Sequence, residues 1–569
     1  MPMTAPALNI ANGTFVFEFD GLWGWSMASA GQTICWFSGH LADGSSGTAA
    51  AAELAHTLNE WASEKPNTAP IDFMDQVDGN FAFAAAGPGW SVAAVDRVRS
   101  IPLNFSALQC ATRVSPSAAR LNTDEDPDGY DPAGLLCFAM AGYTVGRATI
   151  RRDIRQLMPG EMLYAGTDGK VVIHSYASYR PSGRDTRNRR QLLDALSVAT
   201  IEIFETLAAT TQDRPIVVPL SAGMDSRLVV AALHHLGIGN VRCYAYGKPG
   251  NFEAEASRRI ADHLGYQWDF VPYSLDQQRR TFSEPGHADF QSFANDFAAL
   301  PFQQDFHAVD VLRKKGFIPP DAVIVNGQSG DYLTGNHIPA ELCEPVGDAN
   351  EEKRWSRVFN ATVEKHFSHW QFLKTPENLS RISALLREDL HQADMAFGDD
   401  PAQDFGLFEG LEFRNRQAKY VIGGQRIYDL FELEWRLPLW DRQYMTFWQD
   451  VPLEAKRGRN LFLEMLAERN WGGVWRGWDF PQRITPRSLA HVRWLLKALH
   501  IPLGRKRWHR FERRYLDYFM DVLCNYAIVP YARVIRDDRG FRNALSWHID
   551  AYLSEKGIRL EELSRGAHR

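Results

Sequence analysis

The residues with the clearest chemical potential lie in one short segment, 221–226, which reads Ser-Ala-Gly-Met-Asp-Ser. An apolar run, 216–220, precedes it and a helix-compatible run follows it. Unpaired amides at a helix start attract phosphate, and an Asp there suits Mg²⁺, which prefers oxygen ligands. An ordinary strand-to-helix turn is the alternative, since Ser and Asp are common at helix starts. The residues expected to bind the nucleotide are Leu220, Ser221, Ala222, Gly223, Met224, Asp225 and Ser226, and Asp225 is also expected to bind the metal.

A similar segment repeats this arrangement about a hundred residues later. The apolar run 322–325 leads into Asn-Gly-Gln-Ser-Gly-Asp, which ends at Asp331. Because the carboxyl ends of parallel strands meet at one edge of a sheet, Asp225 and Asp331 could hold one Mg²⁺ between them. The alternative is a plain turn, because Asn-Gly and Ser-Gly-Asp are frequent turn formers. The expected nucleotide-binding residues here are Asn326, Gly327, Ser329 and Gly330.

These segments resemble known nucleotide loops. The segment 221–226 lacks the Lys of a kinase-type phosphate loop and resembles the Ser-Gly-Gly-x-Asp-Ser loop of ATP pyrophosphatases, with Ala222 in place of the first Gly. The segment 326–331 resembles the Gly-Glu-Gly-x-Asp-Glu loop of asparagine synthetases. A third run, 431–441, is similar to that family's Ser-x-Glu-x-Arg-x-Pro-Phe-Leu-Asp, and Glu434 with Arg436 is best interpreted as a structural ion pair. The resemblance implies ATP, Mg²⁺ and cleavage between the α and β phosphates.

The N-terminal half resembles the glutamine amidotransferase domain of class B asparagine synthetases. The matching pieces are 77–83, 95–103 and 154–160. Active members carry a nucleophilic Cys directly after the initiator Met, with its α-amine as base. That position is Pro2 here, and the first cysteine is Cys35. We therefore expect no glutamine hydrolysis by this mechanism, and expect the domain to act as a scaffold.

The spacing of apolar residues predicts an α/β protein. Short alternating runs between 14 and 177 predict strands, and 49–62 a helix; the resemblance makes 1–185 a layered αββα Ntn-hydrolase-like domain. Strands at 216–220, 241–246 and 322–326 alternate with helices at 227–236 and 253–264. This alternation predicts a doubly wound parallel sheet within an ATP-pyrophosphatase domain, 190–500. A helical extension, 501–569, is expected to follow.

Composition restricts the function classes. A chain of 569 residues exceeds one core, and a net charge of -7 argues against a partner that is nucleic acid. Six cysteines stand singly, which argues against a zinc ribbon or a disulfide scaffold. The sequence shows neither a secretory signal nor an apolar run of about 20 residues that would span a bilayer. We expect a cytoplasmic protein without a transmembrane segment, able to form a homodimer.

The catalytic candidates follow mainly from the resemblance. Gln328 stands where asparagine synthetases have a catalytic Glu, and Gln cannot take up a proton at neutral pH. A general base must therefore come from elsewhere, the candidates being Tyr332, Glu409, Glu412, Glu432 and Glu434. Several basic residues could meet the phosphates; Lys456 and Arg459 are favoured over Lys419, Arg483 and Arg487. The adenine is expected against Leu220, Tyr246 and Gly247. The predicted catalytic residues are Gln328, Tyr332, Lys456 and Arg459.

The resemblance implies an AMP-forming amide synthetase that adenylates a carboxylate and passes it to ammonia or an amine. The loops 246–251, 326–331 and 419–428 are most similar to homologues associated with bacterial surface-polysaccharide biosynthesis, and the expected substrate is a uronic-acid sugar, nucleotide- or lipid-linked. One alternative is amide closure on a peptide or metabolite, as in lasso cyclases and β-lactam synthetases. Another is a non-catalytic assembly protein. The basic run 505–514 is either a solvated helix face or a surface for an anionic donor, lipid-linked substrate or membrane.

Overall fold

The computed structural model describes residues 8–9, 15–19, 24–65, 68–108, 111–122, 129–344 and 350–564. Pro2, on which the expectation about glutamine hydrolysis depends, lies outside these ranges, as do Cys110 and Thr14 at the start of the first predicted strand.

The N-terminal half contains two sheets that share one core. The first has the strand order β1-β2-β8-β7-β9, and the second, which is antiparallel, has the order β11-β10-β6-β5-β4-β3. Phe17 of the first sheet and Ala84 and Leu163 of the second belong to the same buried cluster. The strands are β1 Leu8–Asn9, β2 Phe15–Phe17, β3 Ser26–Ala30, β4 Thr33–Leu41, β5 Gly79–Gly87, β6 Trp90–Val95, β7 Asn104–Leu108, β8 Ala111–Ser115, β9 Arg155–Gln156, β10 Glu161–Ala165 and β11 Val171–Ser175.

A helix covers the outer face of the antiparallel sheet. Helix α1, Gly47–Glu64, buries Leu54, Leu58 and Trp61 against a cluster that includes Phe83. These apolar residues recur every three or four positions, which gives the helix one apolar face. The result is a helix, sheet, sheet layering in this half of the molecule.

The second half is built on five parallel strands. Their order is β14-β13-β12-β15-β16, and every neighbouring pair is parallel. The order reverses at β12, so a crevice opens at the carboxyl ends of β12 and β15, the usual ligand position in such sheets. This agrees with the predicted parallel sheet, although β14 and β16 were not predicted. The strands are β12 Ile216–Pro219, β13 Val241–Gly247, β14 Gln267–Pro272, β15 Val323–Val325 and β16 Glu434–Arg436.

Helices surround this sheet and continue to the C-terminal end of the described chain. Helix α5 buries Leu192, Leu196, Ile203 and Leu207, as their spacing predicts. The α-helices after α1 are α2 Ile71–Gln76, α3 Ala118–Leu121, α4 Pro132–Ala141, α5 Arg189–Thr211, α6 Met224–His235, α7 Phe252–Leu264, α8 Leu275–Ser283, α9 Pro285–Phe293, α10 Phe306–Lys314, α11 Gly330–Leu333, α12 Glu351–Lys365, α13 Pro376–Gln392, α14 Phe405–Glu412, α15 Arg426–Leu430, α16 Arg442–Asp450, α17 Leu453–Lys456, α18 Asn460–Arg469, α19 Arg487–His500, α20 Arg505–Tyr515, α21 Asp517–Met520, α22 Tyr531–Arg536, α23 Ala544–Glu555 and α24 Leu560–Leu563.

One helical stretch departs from α geometry. Helix α14 continues into a π-helical segment, Phe413–Val421, and then into a 3₁₀ segment, Ile422–Gln425, before α15. Such π segments occur frequently at functional sites. Within the described residues, no helix is both long and apolar enough to cross a membrane.

The two halves are joined by buried polar contacts. The Arg99 guanidinium pairs with Asp296 at 3.0 Å. The Lys419 ammonium donates to the carbonyls of Thr144 and Gly146 at 2.8 and 2.7 Å. Burial lowers the pKa of Lys419 to about 7. Lys419 was one of the basic residues considered for the phosphates, and its contacts instead connect the π segment to the N-terminal half.

Candidate active site

The first predicted loop follows β12 and opens α6. The residue before α6 is Gly223, which has no side chain to cap the helix. The first backbone amides of α6 are therefore left without a capping acceptor from this residue. The Ser221 hydroxyl accepts from the Gly223 amide at 3.1 Å and lies 3.2 Å from the Ser226 hydroxyl. Ala222 is not among the described residues with a positive φ, so its methyl group causes no backbone strain. The loop therefore tolerates Ala where the resembling family prefers Gly.

The other predicted loop, 326–331, packs directly on the first. A Cβ atom at Gly327 would lie 2.8 Å from the backbone carbon of Asp225. A Cβ atom at Gly330 would lie 2.7 Å from the Asp225 side-chain carbon and 2.6 Å from Leu439. Only glycine permits this approach. The structure thus brings Asp225 and the Asp331 segment together, as the strand topology predicts.

The two carboxylates differ in environment. Burial raises the pKa of Asp225 to about 6, and the neighbouring Asp331 adds to this rise, while Arg459 opposes it. Burial also acts to raise the pKa of Asp331, but His337 and Arg459 outweigh it and hold that pKa at about 2. Paired acids with separated pKa values are typical of functional sites.

A buried histidine connects Asp331 to the helical layer. His337 Nε2 lies 3.1 Å from Asp331 Oδ2, and its Nδ1 contacts Glu412 at the end of α14. Burial alone would lower the pKa of His337, but Glu412 and Asp331 raise it, so the imidazolium donates to both carboxylates. His366 Nε2 lies 3.1 Å from the other Glu412 oxygen. Glu412 therefore fixes the position of His337 and, through it, of Asp331.

The same glutamate also holds the turn of the loop 326–331. The Ser329 hydroxyl donates to Gln417 at 2.7 Å, and the Gln417 amide donates to Glu412 at 2.9 Å. Ser329 has a left-handed backbone, with φ of 67°. Gln417, which belongs to the π segment, thus holds the left-handed turn at Ser329 in place.

Arg459 reaches the site from the start of α18. Its guanidinium pairs with Asp225 and donates to the Thr334 hydroxyl at 2.8 Å. The backbone of Arg459 is left-handed, with φ of 63°, and its guanidinium lies over the Phe462 ring at 4.5 Å. The strained backbone persists because these contacts fix the side chain.

Gln328 contacts the 3₁₀ segment that follows the π segment. Its side-chain oxygen accepts from Gln425 at 2.8 Å, and a Cβ atom at Gly424 would lie 3.1 Å from its nitrogen.

On the adenine side, Leu220 is buried, and Tyr246 accepts from Gln304 at 3.2 Å. Gly247 has φ of 118° and lies against Val522 of the C-terminal extension.

Comparison with known proteins agrees with this geometry. Residues 205–466 match the family model described as asparagine synthase. The matched segment contains both loops, the His337 cluster and Arg459. The protein is accordingly an ATP-dependent carbon–nitrogen ligase, the class to which this family belongs. No curated protein matches the sequence.

Two solved structures are similar at low identity. An NH3-dependent NAD synthetase from Campylobacter jejuni subsp. jejuni NCTC 11168, in complex with the nitrate ion, is 13% identical over 41% of this chain and 94% of that chain, with a TM-score of 0.19. A glutamine phosphoribosylpyrophosphate amidotransferase from B. subtilis, complexed with ADP and GMP, is 11% identical over 46% and 75%, with a TM-score of 0.19. Neither likeness carries an argument about this chain.

Two predicted catalytic side chains lie in the core rather than at the loop surface. The Tyr332 hydroxyl donates to the Glu409 carbonyl at 2.7 Å, and the side chain is fully buried. Lys456 Nζ donates to the Glu409 carboxylate at 2.7 Å, and both side chains are inaccessible to solvent. Their orientation corrects the expectation that Lys456 faces the phosphates and that Tyr332 or Glu409 is the base. These three buried residues hold the loop 326–331 in place from the protein core.

Two further candidate bases, Glu434 and Glu412, are also engaged in ion pairs. Glu434 pairs with Arg436 at 2.6 Å and with Arg214, which agrees with the structural ion pair expected there. Glu412 lies in the site, but it is held as an anion by His337 and His366, and its pKa is well below the usual range despite burial.

Sequence reasoning missed His337. It stands six residues after Asp331 in chain order, and its second partner is far away in sequence on α14. The available signal was the position of a lone His shortly after the loop 326–331.

Proposed function

We propose that the protein is an ATP-dependent, AMP-forming amide synthetase that adenylates a carboxylate and transfers the acyl group to ammonia or an amine. The observation that carries this proposal is the direct packing of Gly327 and Gly330 on Asp225. This packing places two acidic loops at the carboxyl ends of neighbouring parallel strands, where nucleotides bind in such sheets. Residues 205–466 and their family match support the reaction class.

The loop 221–226 has the donors that a triphosphate requires. The uncapped start of α6 presents backbone amides with a partial positive charge. The hydroxyls of Ser221 and Ser226 stand beside these amides and can donate to phosphate oxygens. Leu220, Tyr246 and Gly247 lie at the ends of β12 and β13, and we assign the adenine to this edge.

The residues present also fit Mg²⁺. Asp225 and Asp331 would hold it, and the bound ion would neutralise the charge that develops on the departing pyrophosphate. No group of three or more His, Cys, Asp or Glu in the described parts of the chain could hold a metal by itself. A nucleotide-bound Mg²⁺ takes its remaining ligands from phosphates and water.

The protein's own residues position the reacting groups. Arg459 contacts Asp225 and can offer its guanidinium to the leaving pyrophosphate. His337 keeps Asp331 ionised and oriented through its bond at 3.1 Å. We assign Gln328 to the orientation of the acyl substrate through its amide.

We extend the proposal to the substrate and the domains. The carboxylate is a uronic-acid sugar used in surface polysaccharide, as the loop resemblances indicate. The N-terminal unit, 1–185, is a glutaminase-like scaffold without the nucleophile, and 190–500 is the synthetase unit. Helices α19 and α20 pack together across the predicted boundary at residue 500, so the extension is attached to the synthetase unit by a helical hairpin.

Substrate-dependent release of AMP and pyrophosphate tests the proposal. We expect release from ATP with a nucleotide-linked uronate and ammonia, and loss of at least about a hundredfold in Asp225→Asn and Asp331→Asn. Asp262→Asn, an exposed carboxylate of α7 paired only with Arg258 among the described residues, is the matched control and should keep wild-type rates. Release with peptides but not uronates would favour a cyclase. Unchanged release in both loop variants would disprove the proposed site.

A further inference from the structure

A cavity of about 430 Å³ lies between the synthetase unit and the C-terminal extension. It has no role in binding ATP as proposed above. Its walls come from the segment 300–304, from the π segment and from the extension. The polar side chains of its lining include Gln303, Gln304, Tyr420, Asp517, Asp521 and Tyr526.

The cavity adjoins both sides of the proposed active site. Tyr420 packs against Phe302, with ring centroids 5.3 Å apart. A Cβ atom at Gly424 would lie 3.0 Å from Phe302 and 3.1 Å from Gln328. On the other side, Gln304 donates to Tyr246 at the end of β13. The Phe302 and Tyr420 side chains therefore lie between the cavity and the loop 326–331, and they have to move aside for a molecule in the cavity to reach an acyl group at that loop.

Two carboxylates give the cavity its charge. Asp521 accepts from the amides of Leu523 and Asn525 at 3.1 and 2.6 Å, which fixes its carboxylate. Asp517 has no side-chain hydrogen bond or ion pair within the described residues. Burial and the nearby Glu512 raise the pKa of Asp517 to about 6 although Arg513 opposes this. Burial penalises any isolated charge there, whereas the neighbouring Glu512 and Asp521 carboxylates favour positive charge, so an ammonium group paired with Asp517 would be stabilised by them.

An unpartnered hydroxyl is an independent sign of a ligand. The Tyr526 side chain is 2% exposed, and its hydroxyl has no hydrogen-bond partner among the residues that the structure describes. A buried hydroxyl without a partner costs free energy. Tyr526 is one of the residues that line the cavity.

We propose that this cavity binds the nucleophile of the reaction, and that this nucleophile is a hydroxylated primary amine of about monosaccharide size rather than free ammonia. The inference depends on the proposed function. The ammonium group would pair with Asp517 and Asp521, and the hydroxyl groups would bond to Tyr526, Gln303 and Gln304. A volume of about 430 Å³ suits such a molecule, whereas ammonia, like water, occupies about 30 Å³.

The chemical step is a simple aminolysis. The ammonium loses one proton to solvent, and the nitrogen lone pair forms the C–N bond to the acyl carbon. The bond from that carbon to the AMP oxygen breaks, and AMP leaves with the electron pair. A second proton then leaves the nitrogen, which gives the neutral amide.

The experiment compares nucleophiles with the full-length protein. AMP release from ATP and a nucleotide-linked uronate is measured with ammonia, glucosamine, galactosamine, ethanolamine and 2-amino-1,3-propanediol. We expect at least one hydroxylated amine to give a lower KM than ammonia. Asp517→Asn should raise that KM by about tenfold or more, the effect of losing one charged contact. Tyr526→Phe removes only the hydroxyl and should raise it less.

The controls separate this inference from the proposed function. Asp538→Asn, an exposed carboxylate in the same extension, should leave every KM unchanged. ATP–pyrophosphate exchange and ammonia-supported release should also be unchanged in Asp538→Asn. If exchange is present but every amine performs no better than ammonia, or Asp517→Asn leaves the KM values unchanged, the cavity assignment is wrong. If exchange is absent, calorimetric binding of the amines that Asp517→Asn weakens would retain the cavity assignment while the proposed function fails.

An independent observation concerns the helical hairpin formed by α19 and α20. Helix α19 has no buried residue. The side chains of Trp494, Leu499 and Ile501 are 69%, 72% and 75% exposed, and Leu495 is 57% exposed. Monomeric proteins rarely expose such contiguous apolar groups without a binding role.

The same hairpin is strongly basic. Residues 487–515 contain nine Lys or Arg and a single carboxylate, Glu512, whereas the whole chain has a net charge of -7. Glu512 is already paired with Arg493. Apolar side chains beside a dense positive charge match the chemistry of an anionic bilayer surface. Exposed aliphatic groups do not suit nucleic acid, whose backbone offers charge but no apolar surface.

We infer that the hairpin binds the surface of an anionic membrane, with Leu499 and Ile501 in the acyl region and the basic residues at the headgroups. The full-length protein is sedimented with vesicles of phosphatidylcholine mixed with phosphatidylglycerol. We expect binding to these vesicles, weakening with added salt, and none to phosphatidylcholine alone. The double variant Leu499→Gln, Ile501→Gln should lose most of the binding.

A matched variant controls for the loss of exposed apolar surface. Val198→Gln replaces a side chain of α5 that is 56% exposed, and it should bind like the wild type. Absence of wild-type binding, or equal binding by the double variant, would overturn the inference. So would a wild-type dimer in solution that the double variant converts to a monomer while vesicle binding is absent, and so would binding of duplex DNA in place of vesicles.

Discussion

At the residue scale, the site depends on two positions without a side chain. Gly327 and Gly330 let one loop lie on the backbone and carboxylate of Asp225. Any Cβ atom there would push the loops apart. Because Asp331 follows Gly330 directly, such a movement would also change the separation of the two carboxylates.

Gly330→Ala should therefore reduce ATP–pyrophosphate exchange by about a hundredfold, since a displacement near 1 Å can have that effect on an aligned site. The methyl group would stand 2.6 Å from Leu439 and 2.7 Å from Asp225, which also predicts a loss of about 1 to 3 kcal/mol in stability. Gly423→Ala is the control, because no atom lies within 4 Å of its Cβ position. Equal exchange in the two variants would contradict this account.

At the scale of elements, α14 and the π segment support the loop 326–331 from behind. Glu409 and Glu412, on one turn of α14, have different partners. Glu409 pairs with Lys456 from α17, while Glu412 anchors His337. Burying a charge without its partner costs free energy. Both ion pairs therefore have to form if α14 is to hold the loop 326–331 in place.

The Glu409 and Lys456 pair permits a double-mutant test. Lys456→Met alone should lower the free energy of unfolding by about 3 to 5 kcal/mol, because it leaves the Glu409 carboxylate buried and unpaired. Lys456→Met combined with Glu409→Leu should recover much of this loss. Urea unfolding measures both. A double variant as unstable as the sum of its single variants would show that the two groups are not coupled.

Part of this support could be predicted from the sequence. The strands β12, β13 and β15 are short apolar runs. The sequence therefore predicted the parallel sheet and the two loops that follow β12 and β15. The strand β16 reads Glu-Trp-Arg, and its polar ends gave no apolar signal; its place depends on pairing with β15. The roles of Tyr332 and Lys456 could not be predicted, because the direction of a side chain depends on long-range packing with α14.

At the scale of the whole molecule, His369 marks a junction of three regions. Its amide donates to the Met140 carbonyl of α4 at 3.1 Å, and its ring lies 3.2 Å from the Ser546 hydroxyl of α23. Burial lowers the pKa of His369 to about 3, and Arg542 adds to this. The folded protein therefore holds a neutral imidazole where the N-terminal half, the helical layer and the extension meet.

This junction predicts a pH effect on stability. The unfolded chain takes up a proton at His369 as the pH falls below about 6.5, while the folded protein does not until about 3, so stability is lost from about pH 6.5 downward. In His369→Gln, the slope of unfolding free energy between pH 6 and pH 4 should be smaller by about 1.4 kcal/mol per pH unit. His56→Gln, at an exposed site, should keep the wild-type slope. Parallel curves for His369→Gln and the wild type would contradict the buried neutral state.

The central claim is that the terminal diphosphate of ATP leaves as a unit from between Asp225 and Asp331. Positional isotope exchange tests it most directly: ATP carries a heavy-oxygen label in the bridge between the α and β phosphates and is incubated with the protein, Mg²⁺ and a nucleotide-linked uronate. The account predicts movement of the label to non-bridging positions in the wild type and none in Asp225→Asn. A label that stays in the α–β bridge, together with exchange in a parallel sample of ATP labelled in the β–γ bridge, would show γ-phosphoryl transfer and contradict the account.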